Sequence, residues 1–271
     1  MILTPVSSDE LNSIFDQTAL DVLDFCMKKT LMAQPERLIG QPQLPIQVPK
    51  EHIEQWVVQA IGAIPVGAGS YPIDVIKQNE FGADIKMLSC KVNISGDLSD
   101  TTSGETSLAQ KFTNAGVNLD TAFANKEYDA IANDWAGILK AKLGRVKKEQ
   151  DLDKIYYIFI LRASTKFYLC ATKVDVDKID LMTANKDKST STSVFVDNVI
   201  DDNFGNAKIY KSKKRLELRL KPKYWVDNNY VIPFDFSNYM PPMVDLRNLV
   251  KNKKTSEYLQ KLKDDIVNGQ K

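Results

Sequence analysis

Apolar residues recur at helical spacing through Leu11, Ile14, Phe15, Leu20, Leu23 and Cys26, and Ser7-Ser8-Asp9-Glu10 before them reads as a capping box. The pattern predicts one helix ending near Lys29. Pro35, Pro42, Pro45 and Pro49 interrupt the next stretch, and Pro49-Lys50-Glu51 starts a second helix carrying Ile53, Trp56, Val57 and Ile61. Residues 71–76 and 83–91 are rich in strand formers and flank a turn at 78–82, which predicts a β-hairpin. Residues 93–104, full of Ser, Thr, Asp and Gly, read as a loop. A helix is expected through Leu108, Gln110 and Phe112, then a long one over 119–143 with Phe123, Tyr128, Ile131, Trp135 and Leu139 on one stripe. The apolar run 155–161 suits a central strand covered on both faces, and 166–174 would extend its sheet.

From Asp175 onward the character changes. Residues 189–193, all Ser and Thr, read as a flexible connection, followed by short strands that include Tyr224-Trp225 and 230–234. A last helix over 256–267 sets Tyr258, Leu259, Leu262 and Ile266 at helical spacing. The expected fold class is mixed α/β, a mixed sheet flanked by helices, with a division into 1–174 and a β-rich part at 175–271. A chain of 271 residues can bury a full core, and its composition shows no fibrous, disulfide-rich or disordered bias. The N-terminal residues lack a secretory pattern and no apolar run reaches membrane-spanning length, so the expectation is a cytoplasmic protein without membrane contact. Cys26, Cys90 and Cys170 are odd in number, far apart and set among apolar neighbours, as reduced thiols packed like small hydrophobes.

The hairpin carries the chemistry. Asp74 lies on its first arm, and Asp84 and Lys86 share a face of the second, with Ile85 and Met87 on the other. A hard divalent cation such as Mg²⁺ takes carboxylate oxygens, keeps several waters, and is held by one or two carboxylates with a substrate phosphate. A lysine beside it can orient the attacking water or pair with a phosphate oxygen.

Pro72-Ile73-Asp74 followed by Asp84-Ile85-Lys86 resembles the motif of the PD-(D/E)XK nuclease superfamily, in particular the type II restriction endonucleases, over about residues 67–91. The resemblance implies a restriction-endonuclease-like core and Mg²⁺-dependent cleavage of double-stranded DNA at a short sequence. It implies Asp74, Asp84 and Lys86 as catalytic residues, and Asp74, Asp84 and the backbone carbonyl of Ile85 as metal ligands. It further implies a homodimer and a cognate DNA methyltransferase. In such folds the helix before the hairpin can add an acidic ligand, for which Glu54 and Glu51 are candidates; each also suits a surface glutamate favoured by the helix dipole. Lys91 offers a rival Ser89-Cys90-Lys91 reading. The 67–70 run of Gly and small residues would let backbone approach a ligand. His52, the only histidine, has no second histidine or neighbouring cysteine with which to bind zinc, and no nucleophile elbow or phosphate-binding glycine loop occurs.

The net charge of +1 neither demands nor forbids nucleic acid, so distribution decides. Residues 208–223 concentrate lysine and arginine, and within them Arg215, Glu217, Arg219 and Lys221 alternate with leucines. Lys213, Lys214, Arg215, Arg219 and Lys221 are the candidate DNA contacts, with Arg215 or Arg219 free to read guanine. The competing reading is the solvated face of an edge strand. Two other functions fit the same residues: a junction-resolving or repair nuclease of this fold, and a non-catalytic DNA-binding protein.

Overall fold

A computed structural model describes residues 1–42, 44–66, 71–110 and 118–268 of the chain. In chain order the elements are β1 (Leu3–Pro5), α1 (Ser8–Ile14), α2 (Gln17–Leu31), α3 (Lys50–Ile61), β2 (Ile64–Pro65), β3 (Val75–Lys77), β4 (Phe81–Ser89) and β5 (Ser103–Gln110). Next come α4 (Leu119–Ala124), α5 (Tyr128–Glu149), β6 (Ile155–Ala163), β7 (Lys166–Val174), a 3-10 turn over Val176–Leu181, β8 (Thr183–Asn185) and β9 (Ser193–Asp197). The chain continues with β10 (Gly205–Tyr210), β11 (Arg215–Leu220), α6 (Pro222–Asp227), β12 (Ile232–Asp235), α7 (Leu246–Lys251) and α8 (Thr255–Asn268).

The fold is mixed α/β, built on two sheets. The first runs β1-β7-β6-β4-β3-β2, with β12 also paired to β7; the second runs β5-β11-β10-β9-β8. β4 and β6 pair in parallel, and the connection between them passes through α5, while the other pairs are antiparallel. One face of the first sheet, with Val75, Ala83, Ile85, Tyr156 and Ile158, packs on Leu23, Trp56, Val57, Leu262 and Ile266 from α2, α3 and α8. The other face, with Leu88, Tyr157, Phe159 and Leu161, shares a core with Trp135, Leu139 and Leu143 of α5. The apolar side of the second sheet, Val194, Ile209, Leu216 and Leu218, belongs to that same core, so α5 lies between the sheets. Strands cross the 174/175 point in both directions: β5 joins the second sheet, and β12 joins the first.

Several elements differ from the sequence reading for identifiable reasons. The first helix is two, because Asp16 caps a fresh start by accepting from the Ala19 amide at 2.8 Å. The long helix is also two, α4 and α5, separated by residues 125–127, where Lys126 takes a positive φ of 57°. The stretch with Leu108 and Gln110 is the strand β5, not a helix, because β11 supplies its hydrogen bonds; Phe112 and residues 67–70 lie outside the described residues. The serine-threonine run is a tied turn, with Ser189 Oγ donating to Asn185 O at 2.6 Å and Thr190 Oγ1 accepting from the Ser193 amide at 3.2 Å. Tyr224 and Trp225 lie in α6, opened by Pro222 in its first turn. The strand with the alternating charges is interior: β11 lies between β5 and β10, which overturns the edge-strand reading.

No helix among the described residues is long and apolar enough to cross a membrane. Cys26 and Cys170 are buried free thiols and Cys90 is a half-buried one.

Candidate active site

The hairpin is tighter than its sequence suggests, with its turn at residues 78–80 and Asn79 at φ 62°, a left-handed position that asparagine tolerates. Gly82 follows because a methyl group there would come within 2.6 Å of Leu152 and 2.7 Å of Ile73. β3 is paired only as far as Val75 opposite Ala83, and Asp74 sits at the point where the arms part. Its backbone amide donates to Ala83 O at 2.9 Å, and its Oδ2 accepts from the Ile85 amide at 2.6 Å. The side chain thus takes over a ladder position that the departing main chain leaves open. In an extended strand the N–H and C=O of one residue point to the same side, so the Ile85 carbonyl also faces Asp74.

Asp84 lies opposite Tyr157 in the β4–β6 ladder and is 4% exposed. Its Oδ1 accepts from Lys86 Nζ, and the same ammonium is 3.7 Å from Asp74 Oδ2. Burial pushes the Asp84 carboxyl up to about 7; the Lys86 charge opposes this, and a hydrogen bond and charge from Asp74 add to it. Burial works against the Lys86 ammonium, but Asp84, Asp74 and, more weakly, Glu54 outweigh it and hold its pKa above the ordinary value. Asp74, Asp84 and Lys86 therefore meet as expected, and Glu54, half-buried on α3, lies within electrostatic reach of them. The Glu51 side chain lies outside what the structure describes. Lys91 is exposed beyond the end of β4, and His52 is exposed on α3.

Two groups at this site escaped the sequence reading. Lys142 of α5 donates from Nζ to Leu108 O of β5 at 3.2 Å, and the charges that act on it are those of Asp84, Lys86 and Asp74. Burial lowers its pKa, Lys86 lowers it further, and the two carboxylates pull it back. Tyr157 is buried with no hydrogen-bond partner for its hydroxyl among the described residues; burial, then the Asp84 charge, raises its pKa. Helix α5 also holds the approach to Asp74, since Tyr71 Oη lies 3.1 Å from Glu149 Oε2 and Arg145 stacks over the Tyr71 ring at 5.4 Å.

The two carboxylates converge on one point, which suits a hard cation. Among the described residues no group of three or more His, Cys, Asp and Glu side chains could cage an ion. Mg²⁺ is commonly held by one or two carboxylates and completed by water and substrate oxygens. Asp74, Asp84 and the Ile85 carbonyl are the groups that would hold it.

The basic strand is more neutralised than expected. Arg219 pairs with Glu105 and lies 3.4 Å from Tyr210 Oη, so it is not free. Lys213 contacts Glu217 at 3.1 Å and Glu105 at 3.6 Å, and Lys221 donates to the Asp202 carbonyl. Lys214 is exposed in the turn before β11. Among the described residues the Nε atoms of Arg215 and Arg219 are buried without hydrogen-bond partners, as is Oδ1 of Asn206 on β10. A groove of about 330 Å³ runs from Met87, Ser89 and Lys91 at the end of β4 past Thr102 and Glu105 to Arg219. It lies between the end of β4 and the start of β5, with Arg219 of β11 at its far side.

The Asp84 carboxyl has a consequence for stability. Its pKa rises from an ordinary 3.8 to about 7 on folding, so its stabilising contribution is complete below about pH 4 and is lost as pH climbs through 7. In metal-free buffer the unfolding free energy is expected to drop by about 2–3 kcal/mol from this group between pH 5 and pH 8. Asp84→Asn should flatten that drop. Urea titrations of both proteins at the two pH values measure it, and parallel profiles would show that Asp84 ionises freely.

The chain matches no protein-family model, no curated protein and no solved structure at a significant level.

Proposed function

We propose that the chain is a Mg²⁺-dependent deoxyribonuclease of the type II restriction kind, hydrolysing phosphodiester bonds in double-stranded DNA. The observation that carries this reading is the convergence of Asp74 and Asp84 on Lys86 where the hairpin arms part. A bound Mg²⁺ would supply charge neutralisation at phosphorus and a more acidic water. Asp74 and Asp84 hold and orient the site. Lys86, anchored by both carboxylates, is placed to position the attacking water or a phosphate oxygen. In the reaction a water oxygen bonds to phosphorus and loses a proton, one phosphorus–oxygen ester bond breaks, and the departing oxygen takes up a proton.

The groove beside the end of β4 is in keeping with a long anionic substrate, because Lys91 and Arg219 are among the side chains that line it. One such site cuts one strand, so severing both strands of a symmetric sequence calls for a two-fold dimer. A paired methyltransferase belongs to the same reading.

Digestion of a large plasmid with and without Mg²⁺, followed by sequencing of the fragment ends, tests it. Discrete fragments with a shared end sequence are expected only with the metal. Cleavage confined to branched DNA would favour a junction-resolving nuclease, and no cleavage of any DNA would leave a binding protein.

A further inference from the structure

The buried stripe of α5 runs through Trp135, Leu139, Leu143 and Val146, and Lys142 falls on it, three residues after Leu139 and four before Val146. An ammonium is costly at such a position unless something compensates it. Among the described residues no carboxylate touches Lys142; its one hydrogen bond is to the Leu108 carbonyl, on the strand that abuts β4 where Gly104 meets Leu88. The charges that act on it are those of Asp84, Lys86 and Asp74. Helix α5, which packs on the sheet face that carries Leu88 and Tyr157, therefore sets a cation within electrostatic reach of the acidic hairpin.

We propose that Lys142 is a phosphate-contacting residue of this site, a second cation that binds the substrate phosphate opposite Lys86. The inference rests on the nuclease reading for which molecule carries that phosphate. The charges agree with it: Asp74, Asp84 and Glu54 face Lys86 and Lys142, so with a divalent cation the site holds one positive charge, and without Lys142 it would hold none. A phosphodiester under attack by hydroxide carries two negative charges. The buried Tyr157 hydroxyl, without a hydrogen-bond partner among the described residues, adds a further donor on the same side of the sheet as Asp84.

Lys142→Met keeps the length and apolar stem of the side chain, and Lys142→Arg keeps the charge. Two measurements on the full chain separate the possibilities: single-turnover plasmid cleavage in Mg²⁺ at saturating enzyme, and binding of thymidine 5′-monophosphate in Ca²⁺ by calorimetry, each with a melting temperature for the free protein. Lys142→Met is expected to melt no lower than wild type, to cut about ten- to a hundredfold more slowly, the range for losing one charge-assisted hydrogen bond, and to bind the nucleotide at least about tenfold more weakly. Lys142→Arg should recover most of both. Wild-type cutting and nucleotide binding in Lys142→Met would overturn the inference while leaving the nuclease reading intact. Equal losses in the Met and Arg variants with a lowered melting temperature would also overturn it, because the lysine would then serve only to hold α5 on β5. A wild-type protein that cuts no DNA, yet binds the nucleotide in a Lys142-dependent way, would uphold the phosphate site and sink the nuclease reading.

Discussion

Asp84→Ala is expected to lower the rate of DNA cleavage in Mg²⁺ by at least about a thousandfold, the scale of losing several kcal/mol of charge stabilisation at the transition state. Binding of the same DNA in Ca²⁺ should change by no more than a few-fold, because phosphate contacts elsewhere supply most of the affinity. The position makes the effect large: the carboxylate is 4% exposed, holds Lys86, and lies within hydrogen-bonding reach of Asp74. Single-turnover rates and filter-binding constants on one preparation test both halves. A variant retaining more than about a tenth of the wild-type rate would remove Asp84 from the reacting centre, given that ligand losses cost far more than that.

Lys86→Ala and Lys91→Ala should separate widely. Lys86 contacts both carboxylates, so its loss is expected to slow cleavage by about a hundredfold or more with little change in binding, as for a donor that acts in the transition state. Lys91 is exposed beyond β4 and lines the groove toward Arg219, so its loss should weaken DNA binding less than about tenfold and more so at low salt. The opposite ranking would move the chemistry to the end of the strand and revive the Ser89-Cys90-Lys91 alternative.

The acidic hairpin was legible because everything that makes it is local. Asp74, Asp84 and Lys86 fall within one turn and two short arms, and the strand period alone places the last two on one face. The apolar stretch that forms β6 was equally plain, since a central strand must be apolar on both sides. Breaks at Asp16 and Lys126 were hidden because the apolar stripe continues in phase on either side of each. β5 misled for a different reason. Its Leu, Ala and Gln residues favour a helix, and only β11, far along the chain, makes it a strand. Without β5 as a strand, nothing in the sequence told against the competing reading of β11 as an edge strand with a solvated charged face. Glu217 is in fact 4% exposed and held by Lys213, and Arg219 is tied to Glu105 of the unrecognised strand. Lys142 was invisible for want of β5 as well, because a lysine on a helix stripe gains meaning only from the groups that face it.

The pairing of β5 with β11 sets Glu105 opposite Arg219, more than about a hundred positions later. A ladder of that span costs more loop-closure entropy than the local pairings of β3 with β4 and β6 with β7, so it is expected to form after them. Substitutions along this seam should therefore act mainly on the unfolding rate, with little effect on the rate of folding. The acidic hairpin would be assembled early, while the wall that faces it, the backbone carbonyl of Leu108 that receives Lys142, would arrive among the last parts of the molecule to become ordered.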